Sequence, residues 1–483
     1  MDFSGLIEYV CCEDVNVCVD SRKIAKGDVF VAIEGVTVDG HDFAEDALEN
    51  GARYVVCCKG CGCPGARRIT VEDTAEAFGI LSQAKYGYPS KELVNLAVTG
   101  TNGKTTVCFL TRAILEAAGE RCGLIGTIMY DTGSEREDAP LTTPDAGSIA
   151  KLSAAMVESG AGFMAIEASS HALSQGRLAG VEFKAAAFTN LTGDHLDYHE
   201  TAEKYLAAKS LLFENLSPAG TAVLNAEVPE SKVIAEKTRT NILWYGVDRG
   251  EDVNIYKEAD IVAEILSMEI GRTVYRLHFA GESEVVTTSL IGVHNISNHL
   301  AAAGLGLAAG VDLEAVALGL GELKSVDGRL ENVDCGQDFA VLVDYAHTDD
   351  ALKNVLSTLR PLCRGNLTVV FGCGGDRDKT KRARMAREAQ VQADRIIVTS
   401  DNPRTENPGE IIDDIMKGFT DAESLDLTVI ENRKEAIEFA VKSAKRGDIV
   451  LIAGKGHETY QIIGTTKYDF DDRLIAEEAI NNL

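Results

Sequence analysis

Apolar runs separated by polar, glycine-containing loops recur along the chain, and their lengths predict buried strands. One clear example is VNLAVT at 94–99, which is followed by the loop GTNGKTT and then by VCFLTRAILEAAG. In that last segment Val107, Leu110, Ile114 and Leu115 recur at helical spacing. The pattern therefore predicts a strand, a glycine loop and an amphipathic helix in direct succession.

Three blocks of such elements follow one another. The first, to about residue 87, contains GDVFVAI and ARYVVCC and ends in the turn-rich YGYPSKE. The second continues with FMAIE, AAAFTN and TAVLN, and the alternating TVYRLHF at 273–279 predicts a solvated antiparallel strand at a sheet edge. The third, from near Gly328, contains FAVLVDY, LTVVFG, RIIVTS and DIVLIAG. Uninterrupted apolar strands alternating with helical stretches predict an α/β fold with mostly parallel sheets covered on both faces.

Composition narrows the class of protein. The chain has 483 residues, 45% of them hydrophobic and 25% charged, which predicts a soluble protein of several domains. Its net charge of −28 disfavours nucleic acid and anionic lipid as partners, so an anionic ligand needs a local basic pocket. The sequence contains no apolar stretch of membrane-spanning length, and MDFSGLIEYV does not resemble a signal peptide. We therefore expect a cytoplasmic protein without membrane or nucleic-acid partners.

Four of the twelve cysteines, Cys57, Cys58, Cys61 and Cys63, crowd into CCKGCGC. The Cys58-x-x-Cys61 spacing occurs in zinc sites, but no second Cys/His pair follows at a suitable distance. A reduced cysteine-rich turn after a strand is the favoured interpretation, and no role is assigned to it.

The glycine loop at 100–106 indicates phosphate binding. Gly100 and Gly103 allow backbone N–H groups to approach a phosphate, Lys104 can neutralise its charge, and Thr105 or Thr106 can bind Mg²⁺. Its spacing is shorter than that of a Walker A loop, so the motif alone also fits a chance turn. Its position between a strand and a helix favours the phosphate cradle.

Further candidate residues follow, each with a simpler alternative. Glu167 ends a predicted strand and could face Mg²⁺ or only solvent, whereas His195 could be a metal ligand, an acid/base or a capped turn residue. Lys209 lies among apolar helical neighbours, where a surface lysine is the default expectation. Asn295 and Asn298 lie on one face of a helix start and could cap it or contact an adenine.

Taken in order, the motifs resemble those of the Mur ligase family. They are GTNGKTT, TTPD, EASSHALSQGR, TNLTGDHLDYHE, AAKSLLF, HNISNHLAA, GRLE, VDYAHTDDAL, VFGCGGDRDKTKR, DNPRTE and AGKGHETYQ. The stretch DSRKIAKGDVFVAIEGVTVDGHDF at 20–43 resembles the uridine-binding domain of that family. The resemblance runs from about residue 20 to residue 472.

The resemblance implies three domains: a small N-terminal α/β domain that binds a UDP substrate (1–87), a central P-loop-type ATPase domain with a mostly parallel sheet (88–326), and a C-terminal Rossmann-like doubly wound domain that binds an amino acid (327–483). It also implies a chemistry. The carboxylate of UDP-N-acetylmuramoyl-L-alanyl-D-glutamate attacks the γ-phosphate of ATP, and an amine then displaces phosphate from the acyl phosphate to form an amide and complete a peptidoglycan precursor. The cofactor implied is Mg²⁺, with two ions expected, and the enzyme is expected to be a monomer.

The resemblance implies roles for individual residues. Metal and catalytic roles fall on Lys104, Thr105, Glu167, His195 and Lys209, the last as a carbamate. ATP contacts fall on Gly100, Thr101, Asn102, Gly103, Lys104, Thr105, Thr106, Asn295, Asn298, Arg329 and Asp344. Contacts to the UDP-muramoyl dipeptide fall on Val19, Ser21, Thr142, Thr143, Ser169, Gln175 and Arg177. Amino-acid contacts fall on Arg377, Asp401, Asn402, Pro403, Arg404, Gly454 and Glu458.

The amino acid implied is meso-diaminopimelate. Arg404 in DNPR resembles the subgroup that adds this compound, whose extra carboxylate suits a bidentate arginine. Three alternatives stay open: the same ligase using L-lysine, a folylpolyglutamate synthetase-like ligase, and a non-catalytic nucleotide-binding protein. The second usually has Gly-Ser after the loop lysine, and the third need not keep Glu167, His195 and Lys209 together.

Overall fold

A computed structural model describes residues 1–35, 38–58, 63–192, 196–250, 255–420 and 425–483. The chain forms two compact units: Met1–Gly246, Tyr256–Ile261 and Leu300–Gly319 make the first, and Val247–Ile255, Val262–His299 and Leu320–Leu483 make the second. The α/β class predicted from the apolar runs is confirmed. The boundaries at 87/88 and 326/327 stay predictions.

A small parallel sheet lies at the N-terminal end of the first unit. Its strands are, in order, Val17–Cys18, Val29–Val31, Tyr54–Cys57 and Arg68–Thr70. Helices Phe3–Cys12, Ala44–Glu49 and Thr74–Lys85 and the 3₁₀ turns Ser21–Lys23, Gly40–Phe43 and Pro89–Lys91 accompany these strands. One core buries Leu6, Phe78 and Leu81 beneath the sheet. Residues 59–62 of the cysteine-rich turn, with Cys61, lie outside the described ranges, so the turn predicted there stays a prediction.

The main sheet of the first unit is parallel over most of its width. Its strands lie in the order Asn241–Asp248, Thr221–Asn225, Ala185–Phe188, Val94–Thr99, Phe163–Glu167, Cys122–Ile125, Met129–Asp131 and Arg136–Asp138. The last two pair antiparallel. Helices of this part are Lys104–Ala117, Ala146–Glu158, Ser170–Ser174, Leu196–His199, Ala202–Glu214 and Glu230–Lys237. Ile255–Glu258, Val293–Ala308 and Leu313–Glu322 follow along the chain.

Strand register explains where the loops of the main sheet meet. Val94–Thr99 is central, and almost all of its side chains are buried, as its unbroken apolar run predicts. Val98 pairs with Glu167 on one side, and Thr99 pairs with Phe188 on the other. Because parallel strands end at one edge, the loops that follow these three strands are neighbours.

The second unit contains an antiparallel ribbon and a second parallel sheet. The ribbon contains Ile261–Glu269, Arg272–Phe279 and Glu282–Thr288 in that order. The alternating burial of Arg272–Phe279 and its antiparallel pairing with Glu282–Thr288 confirm the antiparallel strand predicted at 273–279. Its predicted edge position is wrong, because it lies between the other two strands and Glu282–Thr288 forms the edge. The six-stranded sheet has the order Glu331–Asn332, Ala340–Asp344, Ile449–Ala453, Leu367–Phe371, Arg395–Val398 and Asp426–Val429, and only its first strand is antiparallel.

Helices and a small hairpin complete the second unit. The helices are Asp349–Leu359, Thr380–Gln392, Pro408–Met416, Arg433–Ser443 and Asp472–Asn481, with a 3₁₀ turn at Arg360–Leu362. The hairpin consists of Tyr460–Ile463 and Thr466–Asp469. Across the described ranges, no helix combines the length and apolar character needed to cross a membrane.

A fully buried ion pair joins the last two helices to the second sheet. The guanidinium of Arg433 donates to both carboxylate oxygens of Asp472, at 2.8 and 2.6 Å, and to the carbonyl of Ala453 at 3.0 Å. Neither side chain of the pair is exposed to solvent. Each ion therefore depends on the other to offset its loss of hydration.

Arg433→Met should destabilise the second unit by about 3–5 kcal/mol, because it leaves the Asp472 carboxylate buried without its partner. Hydrogen exchange of the strand Ile449–Ala453 during urea titration measures the loss. Lys434→Met is the matched control, because its exposed pair with Glu478 contributes at most about 1 kcal/mol. Equal stability losses in the two variants would contradict the assignment.

Candidate active site

The glycine loop forms the cradle that its sequence predicts. It leaves Val94–Thr99, turns through Gly100 and Gly103 at φ +150° and +88°, and enters the helix Lys104–Ala117. The N-cap residue Gly103 has no side chain that could accept from the first N–H groups of that helix, which is the arrangement that binds anions at helix N-termini. A Cβ at Gly100 would overlap the hydroxyl of Thr189, which explains the glycine.

Neighbouring loops hold this cradle in place. The Asn102 N–H donates to Asn190 Oδ1 at 2.9 Å, and Thr189 Oγ1 donates to the Asn102 carbonyl at 2.6 Å. The Thr101 N–H donates to the Asn190 carbonyl at 2.9 Å. Because Thr189 and Asn190 follow the adjacent strand, the loop conformation depends on the sheet and not on the loop sequence alone.

Two lysines meet at one carbonyl of the loop. Lys104 Nζ donates to the carbonyls of Gly100 and Thr101 at 3.0 and 2.9 Å. Lys209 Nζ donates to the same Gly100 carbonyl at 2.8 Å and lies 4.4 Å from the centroid of the Tyr205 ring. Only 1% of Lys209 is exposed, so the default expectation of a surface lysine is wrong. Residues far apart in sequence thus concentrate positive charge beside the loop.

Glu167 is buried and directed inward. Thr127 donates to its carboxylate twice, from N–H to Oε1 at 2.7 Å and from Oγ1 to Oε2 at 3.0 Å. Its relative exposure is 0%, so the alternative that it merely faces solvent is wrong. Thr127 has no signal in the sequence, because only the fold brings its loop to the end of this strand.

Carboxylate and hydroxyl oxygens suit Mg²⁺. Glu167 and Thr105, which is buried with Thr106 in the first helical turn, fit the donor type expected of that ion. Within the described part of the chain, no three His, Cys, Asp or Glu side chains form a metal-binding group. Of the other two predicted ligands, Lys209 lies beside the glycine loop and His195 lies outside the described residues.

A second group in the first unit brings together predicted substrate contacts. Thr143 Oγ1 lies 3.2 Å from Ser169 Oγ and donates to the Glu167 carbonyl at 2.6 Å. Arg177 donates to the Thr143 carbonyl at 2.8 Å and to Gln175 Oε1 at 2.7 and 3.0 Å. Thr127 also links this group to Thr142, through hydroxyls 3.1 Å apart. The predicted substrate contacts of this group therefore lie next to the backbone of Glu167.

The N-terminal sheet contributes a basic cavity. Ser21 is buried at the start of its 3₁₀ turn, while Val19 is exposed and lines a cavity of about 530 Å³. The cavity is also lined by Lys23, Lys85 and Lys151, together with two aspartates. Sequence reasoning missed these three lysines, which lie far apart along the chain and have no common motif. Three lysines against two aspartates leave the lining with a net positive formal charge, which suits an anion better than the acidic chain as a whole does.

The predicted nucleotide-contacting residues outside the loop belong to the second unit. Asn295 and Asn298 share one face of the helix Val293–Ala308, where Asn298 Nδ2 donates to Asn295 Oδ1 at 3.2 Å. Asn295 donates to the Ile291 carbonyl from within the helix, so the N-cap alternative is wrong for it.

Asp344 and Arg329 lie near each other in the same unit. Asp344 accepts the N–H groups of Leu330 and Ala346 at 2.7 and 2.8 Å, and burial raises the pKa of its carboxyl. The Arg329 guanidinium lies 5.0 Å from the centroid of the Tyr345 ring. Its buried Nε has no hydrogen-bond partner among the described residues, which fits a polar ligand there.

The predicted amino-acid contacts lie on three interlocking segments of the second unit. The Gly375 N–H donates to the Asn402 carbonyl at 2.9 Å, which joins the GCGGD and DNPR loops. Arg404 Nη1 donates to the Gly375 carbonyl at 2.8 Å, and its N–H donates to Ile462 of the hairpin at 3.1 Å. Arg404 has φ +52°, a costly conformation for a non-glycine residue that surrounding structure must impose.

Buried acidic and basic side chains lie close together in this site. Burial raises the pKa of Asp401, but Arg433 and Lys455 outweigh it, so the pKa lies below its usual value and the carboxylate stays ionised. Gly454 adopts φ +120° beside it, where a Cβ would come within 2.7 Å of Asp401 Oδ2. Asn402 Nδ2 donates to Glu458 Oε2 at 2.8 Å. Pro403 is buried next to these groups, whereas Arg377 is exposed and, among the described residues, donates to the carbonyl of Asp376 at 3.3 Å.

Comparison with known proteins agrees with the motif order. Residues 15–86 match the Mur ligase family catalytic domain, residues 98–306 the Mur ligase middle domain, and residues 328–456 the glutamate ligase domain of Mur ligases. A Bacillus licheniformis protein named UDP-N-acetylmuramoyl-L-alanyl-D-glutamate--2,6-diaminopimelate ligase is 45% identical, and the alignment covers 98% of this chain and 97% of that protein. A Geobacillus kaustophilus protein of the same name is 44% identical, and the alignment covers 96% of this chain and 94% of that protein.

The fold agrees as well. A solved structure of a protein that also bears the name UDP-N-acetylmuramoyl-L-alanyl-D-glutamate--2,6-diaminopimelate ligase is 34% identical, with a TM-score of 0.71 over 97% of this chain and 94% of that one. With the glycine loop, the buried Glu167 and Lys209, and relatives this similar over nearly the whole length, the chain belongs to the Mur ligase family.

Proposed function

We propose that this protein is an ATP-dependent, ADP-forming ligase that adds meso-diaminopimelate to the D-glutamate of UDP-N-acetylmuramoyl-L-alanyl-D-glutamate. The observation that carries the proposal is the meeting of Lys104 and Lys209 at the carbonyl of Gly100, in a glycine loop that opens a helix. The relatives that bear the name of this activity, at up to 45% identity, support it. Assembly of a peptidoglycan precursor would be its role.

The reaction must bring two anions together, the substrate carboxylate and the triphosphate. The helix N-terminus at Gly103 and the ammonium of Lys104 would stabilise charge that develops on the γ-phosphate. Mg²⁺, with two ions proposed, would polarise the phosphoryl oxygens, and Thr105, Glu167, His195 and a carbamate on Lys209 would hold it. Thr127 orients the Glu167 carboxylate toward that task.

Substrate binding would use the groups around this centre. Thr142, Thr143, Ser169, Gln175 and Arg177 would receive the muramoyl dipeptide next to Glu167, and the lysine-lined cavity beside Val19 and Ser21 would favour the UDP portion. In the second unit, Arg404 would bind the distal carboxylate of diaminopimelate, and Glu458 would bind an ammonium. A cytoplasmic location and a monomeric state stay predictions.

An assay of ADP release with a panel of amino acids tests the function. ADP should form only when the UDP-dipeptide and an amino acid are both present, with meso-diaminopimelate the best, and product mass should show the added residue. Preference for L-lysine would overturn the specificity, whereas ADP release with folate substrates or with none would overturn the ligase assignment.

Lys104→Ala should lower kcat by about 10²–10³-fold, because it removes preorganised positive charge from the phosphoryl transfer. Lys204→Ala is the control, since this exposed lysine pairs only with Glu200 in the described structure. Steady-state ADP release measures both. Near-normal turnover in Lys104→Ala would refute the role of this lysine.

Lys209→Ala should be almost inactive, and a short-chain carboxylate should restore part of its activity by supplying the lost oxygens. Lys209→Arg keeps a cation but cannot form a carbamate, so it should be inactive as well. NMR of wild-type enzyme in labelled bicarbonate should detect the carbamate directly. Full activity in Lys209→Arg would exclude a carbamate.

Arg404→Ala should lower kcat/KM for meso-diaminopimelate by about 10²-fold, on the order of 3 kcal/mol, because the distal carboxylate would lose its bidentate partner. The KM for ATP should stay within about twofold, since the lost contact belongs to the amino acid alone. Exposed Arg446→Ala serves as the control for a lost surface arginine. An unchanged preference for diaminopimelate over L-lysine would contradict the role of Arg404.

A further inference from the structure

Lys455, which stands between the two glycines of GKGHE, is fully buried, with 0% of its side chain exposed. Its Nζ donates to Asn402 Oδ1 at 3.1 Å and to Glu458 Oε2 at 3.3 Å. The same atom lies 5.6 Å from the centroid of the Tyr460 ring. A buried ammonium is costly unless it is paired and hydrogen-bonded, and these contacts offset its loss of hydration.

The ammonium and a backbone N–H together fix the orientation of the Asn402 amide. Asn402 Oδ1 accepts from Lys455 and also from the N–H of Ile462 at 3.0 Å. An ammonium and a backbone N–H can only donate, so a flipped amide would direct its NH₂ group at two donors. The NH₂ group must therefore point to Glu458 Oε2, to which it donates at 2.8 Å.

The same contacts orient the Glu458 carboxylate. Both of its hydrogen bonds from Asn402 and Lys455 reach Oε2, and no described residue donates to Oε1. The side chain retains 16% exposure, so the carboxylate can be reached by a ligand. Lys455 also lies close enough to Asp401 to help keep its pKa low. The buried ammonium of Lys455 thus interacts with two carboxylates, those of Asp401 and Glu458, and with the Asn402 amide.

We propose that Lys455 is a positioning residue of the amino-acid site: it holds the Asn402 amide and the Glu458 carboxylate in the orientation that receives an ammonium group of the amino-acid substrate. It acts through these two side chains and touches no reacting atom. The role of Glu458 toward an ammonium rests on the proposed function, whereas the orientation of Asn402 rests on the hydrogen bonds alone.

Lys455→Met tests the proposal, because methionine approximates the length of lysine without its charge. KM for meso-diaminopimelate should rise by about 10-fold or more, while KM for ATP and for the UDP-dipeptide should stay within about twofold. Lys467→Met is the matched control: this exposed lysine also lies over the Tyr460 ring, at 3.6 Å, but it belongs to the outer strand of the hairpin. Its three KM values should not change.

A double-mutant cycle with Glu458→Gln separates positioning from packing. If Lys455 acts through Glu458, the double variant should bind diaminopimelate no more weakly than the worse single variant, as measured by calorimetry. Lys455→Gln, which keeps a donor, should recover part of the affinity and provides a second variant if Lys455→Met folds poorly. Additive losses, or equal rises in all three KM values, would overturn the proposal.

Exchange of the Asn402 side-chain amide provides a readout that needs no substrate. In NMR spectra these protons should exchange slowly in the wild type and at least about 10-fold faster in Lys455→Met, because the constraint on the amide is lost. Equal exchange rates would refute the orienting role even in an active ligase. Slow wild-type exchange that accelerates in Lys455→Met, in a protein without ligase activity, would instead refute the proposed function and leave the orienting role intact.

Discussion

The carbonyl oxygen of Gly100 accepts hydrogen bonds from both Lys104 and Lys209, and much of the first unit is arranged around that point. Lys104 is four residues away, whereas Lys209 arrives from a helix 109 residues later. The strand that precedes Gly100 is central in a buried parallel sheet, so the loop lies where neighbouring strands also end, and Thr189 and Asn190 hydrogen-bond to it there. In a chain with a net charge of −28, this concentration of positive charge must be built locally.

Burial makes the charges of the site effective. Glu167 and Lys209 are almost inaccessible to solvent, and both are hydrogen-bonded within the protein. Charges in such surroundings interact more strongly than charges in water, and their partners are already oriented. The cost of burial is offset by the hydroxyl and N–H of Thr127 on one side and by the loop carbonyl on the other.

The second unit also buries charged side chains that are hydrogen-bonded within the protein, and they have two different roles. Arg433 and Asp472 form a closed ion pair that fastens two helices to the sheet, and Lys455 is enclosed by Asn402 and Glu458. The first pair stabilises the fold, and the second directs polar groups toward a ligand. Arg404, held at φ +52° between the Gly375 loop and the hairpin, lies on the same framework. Strain at that residue is consistent with a position set by binding and not by local preference.

Much of the fold could be predicted from the sequence, because strand and helix patterns are local. The run at 94–99 and the helical spacing after it predicted a strand, a loop and a helix that the structure confirms. The glycine loop, Glu167 and Lys209 were found by motif, and the family that their order indicated is confirmed by the comparisons. Without the motif, however, the default expectation placed Lys209 on the surface.

What the tertiary structure decided is which distant groups meet. Thr127 and the lysines of the N-terminal cavity show no periodicity or spacing that marks a function, since their roles depend on strand register and helix packing. Lys455 lies within the GKGHE motif, but only the structure shows that it contacts Asn402 and Glu458. A sequence states which side chains can carry charge or donate a hydrogen bond. Only the folded chain determines which of them are buried side by side. Burial removes their hydration, so a lysine or a glutamate there depends on hydrogen bonds from its neighbours, and this sets its role in a site.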